Sequence, residues 1–231
     1  MAIAVVFDFD STIINIESLD ELIISQNPQA KAKIEAITNA GMGGSLPLEQ
    51  SILNRLALVK ITRADLADFT ANLANYLSFG IADFIAENQK THDIEFFIIS
   101  GGIIEIITPI AKILGIASNN CYANKAIYNE KQELIALDKD NPLLYNGGKA
   151  KVIASEIINK RGFGENKIIM IGDGYTDYEV SLALPMVHFI GFGCNVVRSK
   201  VKENSQYFAQ DFQEFRQFYQ KIIAEINGKI N

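Results

Sequence analysis

The sequence predicts an α/β protein: a doubly wound, mainly parallel sheet with a helical cap inserted into it. Three observations carry that expectation. Short, largely apolar runs recur at residues 3–7, 95–99, 167–171 and 186–190, of the kind that fill the middle of a parallel sheet. Each ends abruptly in small or acidic residues, and helical periodicity follows in the later units. Between the first run and the second lies a long stretch, residues 14–78, whose pattern is almost wholly helical.

The first run, Ile3 to Phe7, leads into Asp8-Phe9-Asp10-Ser11-Thr12. If the strand continued through them, both carboxylates would lie on one face. In open α/β sheets ligands bind beyond the carboxyl ends of the strands, so this stretch is placed to deliver chemistry. Two carboxylates a few ångströms apart repel, and a proton or a cation must relieve them. A hard divalent cation such as Mg²⁺ suits oxygen ligands. One carboxylate could attack phosphorus and the other shuttle the proton. Taken alone, the stretch fits a solvated loop with an N-cap equally well.

Next, Ser18 with Glu21 three residues on fits a capping box at the start of a helix. Residues 29–40 are helical in character, and Ala40-Gly41-Met42-Gly43-Gly44 breaks the pattern. Leu48, Ile52, Leu53, Leu56 and Val59 recur at helical spacing, and a further helix runs over about 63–76. No Ser/Pro-rich linker separates this block from its flanks. It reads as a cap (14–78) inserted into one core domain (1–13 and 79–231).

The α/β rhythm resumes with a helix over 81–90 and a strand over 95–99. Ser100-Gly101-Gly102 follows and opens an apolar helix over 103–114. Strand, small residues and helix start aim amide groups and a hydroxyl at an anion; a tight turn with Ser100 as N-cap is the structural alternative. Residues 121–137 read as a β-hairpin around Asn129-Glu130-Lys131-Gln132. Asn146-Gly147-Gly148-Lys149 precedes a helix reaching about Asn159. It is no P-loop, because Leu143 stands where the first glycine is needed and Ala150 where Ser or Thr is. A lysine at a helix start opposes the helix dipole, so Lys149 is either solvated or held by something anionic. The strand over 167–171 closes in Gly172-Asp173-Gly174-Tyr175-Thr176-Asp177, bringing two more carboxylates to a strand end. A fourth strand ends in Gly191-Phe192-Gly193. The last helix, 212–226, carries an aromatic stripe (Phe212, Phe215, Phe218, Tyr219) suited to core packing.

Composition excludes several classes. The 231 residues are 48% hydrophobic with net charge −6, and no basic run marks a nucleic-acid footprint. Apolar runs fall short of the roughly 18 residues of a membrane helix. The chain enters its first strand at once, without the pattern of a signal peptide. Cys121 and Cys194 lack metal-ligand spacing. His92 and His188 have no Ser or Cys partner in a motif, so both read as structural. A cytoplasmic protein with reduced thiols, acting without nucleic acid or membrane, is the expectation; the oligomeric state is not legible.

Successive buried strands thus end in DFDST, SGG and GDGYTD, with a GGK helix start between the last two. With these motifs the chain resembles the haloacid dehalogenase-like hydrolase superfamily, matching its four motifs at Asp8/Asp10/Thr12, Ser100, Lys149 and Asp173/Asp177. It is closer still to the phosphoserine phosphatase family within it, through MGGSLPLEQSILNRLALV at 42–59, YANKAIY, GGKAKVIASEI, KIIMIGDGYTDYEV and FIGFGCNVVR. The resemblance covers almost the whole chain, cap included. It implies a Rossmann-like core and a Mg²⁺-dependent phosphomonoester hydrolase that releases L-serine and phosphate from O-phospho-L-serine. Asp8 is implied as nucleophile and Asp10 as general acid/base. Asp8, the Asp10 carbonyl and Asp173 would hold the metal, with Asp177 supporting them. Ser100, Gly101 and Gly102 would bind the phosphoryl oxygens and Lys149 would neutralise charge. Glu17 and Arg55 would take the substrate ammonium and carboxylate, with Met42 and Gly43 lining the pocket and Thr176 and Arg198 nearby. A phosphatase or phosphotransferase for another small phosphomonoester, or a silent binding module, are the competing readings.

The chain departs from the family pattern at Leu48, where an aromatic residue usually packs the substrate. It departs also at Phe79, where a proline is common, and at Tyr175 and Tyr178, bulkier than the usual residues.

Overall fold

A computed structural model describes residues 2–42, 45–91 and 93–228. Gly43 and His92 lie outside the described residues, as does the side chain of Met42. Six strands form one parallel sheet: β1 (Ile3–Phe7), β2 (Ile94–Ile103), β3 (Cys121–Asn124), β6 (Ile168–Gly172), β7 (His188–Phe192) and β8 (Tyr207–Ala209). Their order is β3-β2-β1-β6-β7-β8, with every pairing parallel. The chain builds outward from β1 on one side, then crosses to β6 and builds outward on the other. This reversal is the topological switch point where open sheets form crevices. Asp8 follows β1 and Asp173 follows β6, so both carboxylates stand at its mouth.

Alternation along β1 explains how helices cover both faces. Ile3, Val5 and Phe7 join one apolar cluster and Ala4 and Val6 the other. On the first face Phe7 meets Phe84 of the helix Ile81–Asn88 and Phe215 of the helix Phe212–Ile226. The stripe on that last helix is core packing as predicted, with Phe84 ring centres 4.9 Å from Phe215 and 4.7 Å from Tyr219. On the second face Ile153 and Ile157, from the helical run that begins at Gly148, pack with Val180.

Four helices follow β1: α1 (Ser18–Gln26), α2 (Lys31–Met42), α3 (Leu48–Leu56) and α4 (Arg63–Ala71). Their apolar residues Leu22, Ile34, Ile52 and Leu66 belong to the same continuous cluster as the first face of the sheet. The segments entering and leaving this block run side by side. Ile14 bridges Leu77, and Ser78 N–H donates to the Ile13 carbonyl at 2.9 Å. The Asn195 amide pins both, donating to the Ser11 carbonyl at 2.9 Å and to Ser78 Oγ at 2.7 Å. The hairpin of β4 (Ala126–Tyr128) and β5 (Leu134–Leu137) forms around the expected turn, although Cys121–Asn124 at the start of the expected 121–137 stretch is β3 of the main sheet, and it docks on the block. Leu134 N–H donates to the Ile61 carbonyl at 2.7 Å, and the Arg63 guanidinium lies 4.0 Å from the Tyr128 ring centre.

Three local expectations need correction. The strand does not continue through Asp10; it ends at Phe7 and opens into a wide turn, Phe9–Ile13, in which Ser11 sits at φ 52°. Hydrogen bonds from Ser11 N–H to the Ile16 carbonyl, and from Asn195 to the Ser11 carbonyl, hold that left-handed conformation. Ser18 does not cap α1. It is the first helical residue, and its amide donates to Asp10 Oδ1 at 2.8 Å, so the helix start is satisfied by a carboxylate outside it. Nor does Ser100 cap the following helix, since β2 continues to Ile103. Among the described residues no helix is long and apolar enough to cross a membrane.

Candidate active site

The site is assembled where β1, β2, β6 and the Gly148 helix start converge below α1 and α3. Asp8 leaves β1, and its N–H donates to the Ile171 carbonyl at 2.8 Å. Lys149 comes to it from the Gly147-Gly148 turn. Gly147 takes φ 71°, and a side chain at Gly148 would collide with the Pro142 carbonyl, so the two glycines let the helix begin tight against that loop. Lys149 Nζ lies 2.7 Å from Asp8 Oδ1 and 2.5 Å from Asp177 Oδ1. Of the two readings of this lysine the anionic one is realised. Burial opposes its charge, but the carboxylates of Asp177 and Asp8 outweigh that and hold it protonated.

Asp173 and Asp177 come from the loop after β6. Gly172 has no side chain because the Asp177 carboxyl occupies the space where a Cβ would stand. Asp177 Oδ2 accepts from Gly174 N–H at 2.9 Å while Oδ1 takes Lys149, so both its oxygens are engaged. Burial and the charge of Asp8 push its carboxyl up to about 7 despite Lys149. Asp173 accepts from Thr12 Oγ1 at 3.3 Å and from Arg198 Nε at 2.6 Å. Its burial raises its carboxyl well above the usual range, opposed by Arg198. Asp8, Asp173 and Asp177 each place a carboxylate oxygen within 4.8 Å of the others.

Asp10 is fixed through Ser18 N–H. Burial, then the charge of Glu17, push its carboxyl up to about 8. Its Oδ2 faces the Ser100-Gly101-Gly102 segment: a Cβ added at Gly102 would stand 3.4 Å from it and 3.2 Å from Ser100 Oγ. Ser100 is buried and its hydroxyl accepts from Gly102 N–H at 3.0 Å. Behind this segment Asn124 donates to the Gly101 carbonyl at 2.8 Å.

A pocket opens over these groups. Asp8, Asp10, Ser100, Gly101, Gly102, Lys149 and Thr176 line it from the sheet side, and Glu17, Leu48 and Arg55 from the helices. Leu48, in the position of the expected aromatic residue, covers Gly101, and its N–H donates to Asn146 Oδ1 at 3.3 Å across the gap. Asp173, Asp177 and Arg198 lie behind the lining. Glu17 and Arg55 do not meet the pocket as lone charges. Glu17 accepts from Ser11 Oγ at 2.8 Å and from Arg198 at 2.9 Å. Arg55 donates to Asp20 at 2.7 Å.

Among the groups that sequence reasoning passed over, Asp20, Leu143, Tyr145 and Asn146 stand out. The signal for Asp20 was its place three residues after Glu17, in the first turn of α1. Phe79, by contrast, is an exposed ring against Phe212 and away from the pocket. Tyr175 lines the pocket rim, with Lys200 Nζ 3.8 Å above its ring. His188 begins β7, far in register from the carboxylates, and burial lowers its basicity.

Residues 5–181 match the family of haloacid dehalogenase-like hydrolases. The phosphoserine phosphatase of Rattus norvegicus is 37% identical over 211 residues, covering 91% of this chain and 90% of its own. That of Homo sapiens is 36% identical over the same length. A crystal structure of a phosphoserine phosphohydrolase-like protein from Francisella tularensis superposes with a TM-score of 0.84 at 32% identity, covering 94% of this chain and 99% of the other.

Proposed function

The chain belongs to the haloacid dehalogenase-like hydrolase family, and on that footing we propose that it is a phosphatase converting O-phospho-L-serine to L-serine and phosphate. What supports the substrate is the similarity to phosphoserine phosphatases across 91% of the chain. The observation that carries the chemistry is the Lys149 bridge between Asp8 and Asp177, with Asp10 held beside it.

The donor set fits a hard divalent cation. Asp8, Asp173 and Asp177 offer oxygen only, carboxylates outnumber Lys149 and Arg198 in the cluster, and burial with the neighbouring carboxylates raises the carboxyls of Asp173 and Asp177, a strain that a bound cation relieves. Mg²⁺ is the proposed ion, with Asp8, the Asp10 carbonyl and Asp173 as ligands and Asp177 in support. When bound, it neutralises the nucleophile and the transferring phosphoryl oxygens.

Asp8 attacks phosphorus, forming an aspartyl phosphate as the bond to the serine oxygen breaks. Asp10, with its carboxyl raised to about 8, is protonated at neutral pH and gives that proton to the leaving oxygen. It then takes a proton from the water that attacks the phospho-aspartate, releasing phosphate and restoring Asp8. Ser100, its hydroxyl held by the Gly102 amide, and the Gly101 amide face the phosphoryl oxygens, and Lys149 balances their charge. On the same reading Glu17 faces the substrate ammonium and Arg55 its carboxylate, with Thr176 and Arg198 nearby. Residues 14–78 are the cap, and 1–13 with 79–231 the catalytic core. The free thiols of Cys121 and Cys194 agree with a cytoplasmic location.

The test is phosphate release with Mg²⁺ over L- and D-phosphoserine, phosphothreonine, phosphoethanolamine, a sugar phosphate and an aryl phosphate. A strong preference for phosphoserine is expected. A flat profile would leave the chemistry standing and remove the substrate.

A further inference from the structure

We infer that Asp20 is a positioning residue for carboxylate recognition: it holds the Arg55 guanidinium in the orientation in which Arg55 meets its ligand. The inference rests on the reading of Arg55 given above. Asp20 does not line the pocket, whereas Arg55 does, so Asp20 acts through its neighbour.

Three contacts fix the arrangement. Arg55 Nη1 donates to Asp20 Oδ1 at 2.7 Å, Thr38 Oγ1 donates to Asp20 Oδ2 at 2.6 Å, and Arg55 Nε donates to the Ser51 carbonyl at 3.2 Å. Asp20, Thr38, Ser51 and Arg55 are all buried. Arg55 Nη2 has no hydrogen-bond partner among the described residues, which leaves that edge of the fork for the pocket. The contacts tie three helices together: Asp20 on α1, Thr38 on α2, Arg55 on α3.

The physical consequence is selective. A long arginine side chain is an effective carboxylate grip only when its planar fork is preorganised. With Nη1 and Nε anchored, the guanidinium plane is set before the ligand arrives. Asp20 also offsets the Arg55 charge in the empty pocket, so the buried cation is not left uncompensated. Without Asp20 the fork is free to turn, and a substrate with a carboxylate suffers where one without it does not.

The experiment compares kcat/KM for L-phosphoserine and for phosphoethanolamine, which lacks the carboxylate, in the wild-type chain and in Asp20→Asn and Thr38→Val. Asp20→Asn is expected to lower phosphoserine turnover by roughly 10- to 100-fold, mostly through KM, with phosphoethanolamine changed less than about threefold. Thr38→Val should give a smaller loss of the same selectivity, and it carries the test alone if Asp20→Asn does not fold. Equal losses on both substrates, or no loss on either, would overturn the inference. If the wild-type chain itself does not favour phosphoserine, the proposed substrate fails instead, and that outcome is seen before any variant is made.

Discussion

The Lys149 ammonium lies 2.7 Å from Asp8 Oδ1, so the carboxylate from which the proposed reaction starts is held by a buried cation that has a second carboxylate, Asp177, on its other side. Neither side chain is more than marginally exposed. The pair links the end of β1 to the start of a helix some hundred and forty residues later in the chain, and charge, not helix propensity, accounts for a lysine in that first turn.

Replacing Lys149 by Met should expose how much that link matters. Asp8 and Asp177 would face each other without compensation, and removing one partner of a buried ion pair costs about 3–5 kcal/mol. Urea unfolding of the metal-free variant at neutral pH should show a loss of that order, smaller at pH 5. Unchanged stability would mean that the cation is dispensable to the fold.

Asp8→Asn should remove turnover by a factor on the order of 10⁴ or more, since nucleophile and intermediate vanish together. Acid-quenched enzyme treated with labelled substrate should carry label in the wild-type chain and none in the variant. Retained steady-state activity would take Asp8 out of the nucleophile's role.

Stability of the metal-free protein should depend on pH in a defined direction. Asp10 and Asp177 have carboxyls raised from 3.8 to about 8 and about 7, so the folded state binds their protons more tightly than the unfolded chain. That contribution is complete below the unfolded value and is lost as pH rises through the folded ones. Urea midpoints in EDTA should therefore fall between pH 5 and pH 8, and Asp177→Asn should flatten the decline. A midpoint that rises over this window in the parent chain would contradict the assignment.

Exhaustive EDTA should silence phosphate release and Mg²⁺ should restore it. The same ion should raise the unfolding midpoint more at pH 8 than at pH 5, because at the higher pH fewer protons compete with it for the raised carboxyls. Activity indifferent to chelation would defeat the metal assignment.

Arg55→Ala should reduce phosphoserine hydrolysis far more than that of an aryl phosphate, by roughly 100-fold against a few-fold, given the strength of charge-assisted pairs to carboxylates. Equal losses would argue that Arg55 serves only the packing of the helices around Asp20.

Much of this architecture was legible in the chain. The parallel sheet followed from apolar runs that end in small and acidic residues, and the ends of β1 and β6 carry Asp8 and Asp173 into the crevice that Ser100, still inside β2, also lines, because a strand end is a local feature with a fixed place in the fold. Contacts between distant segments were not legible. Arg55 and Asp20 are 35 residues apart, and no spacing rule joins residues on different helices. Ser18 looked like a cap because its spacing to Glu21 is correct, yet Asp10, eight residues earlier, won its amide. The short strand β8 carries only three residues, too few for any alternation to register.

β1 has neighbours on both sides, β2 and β6, and its residues from Ala4 to Phe7 are wholly out of water. Amides in such a strand exchange with solvent only when the whole sheet opens. Asp8 therefore follows directly on a strand whose amides should exchange slowly, while Arg55 sits on α3, outside the sheet. Gentle warming should therefore erode discrimination between phosphate esters before it erodes the capacity to cleave them.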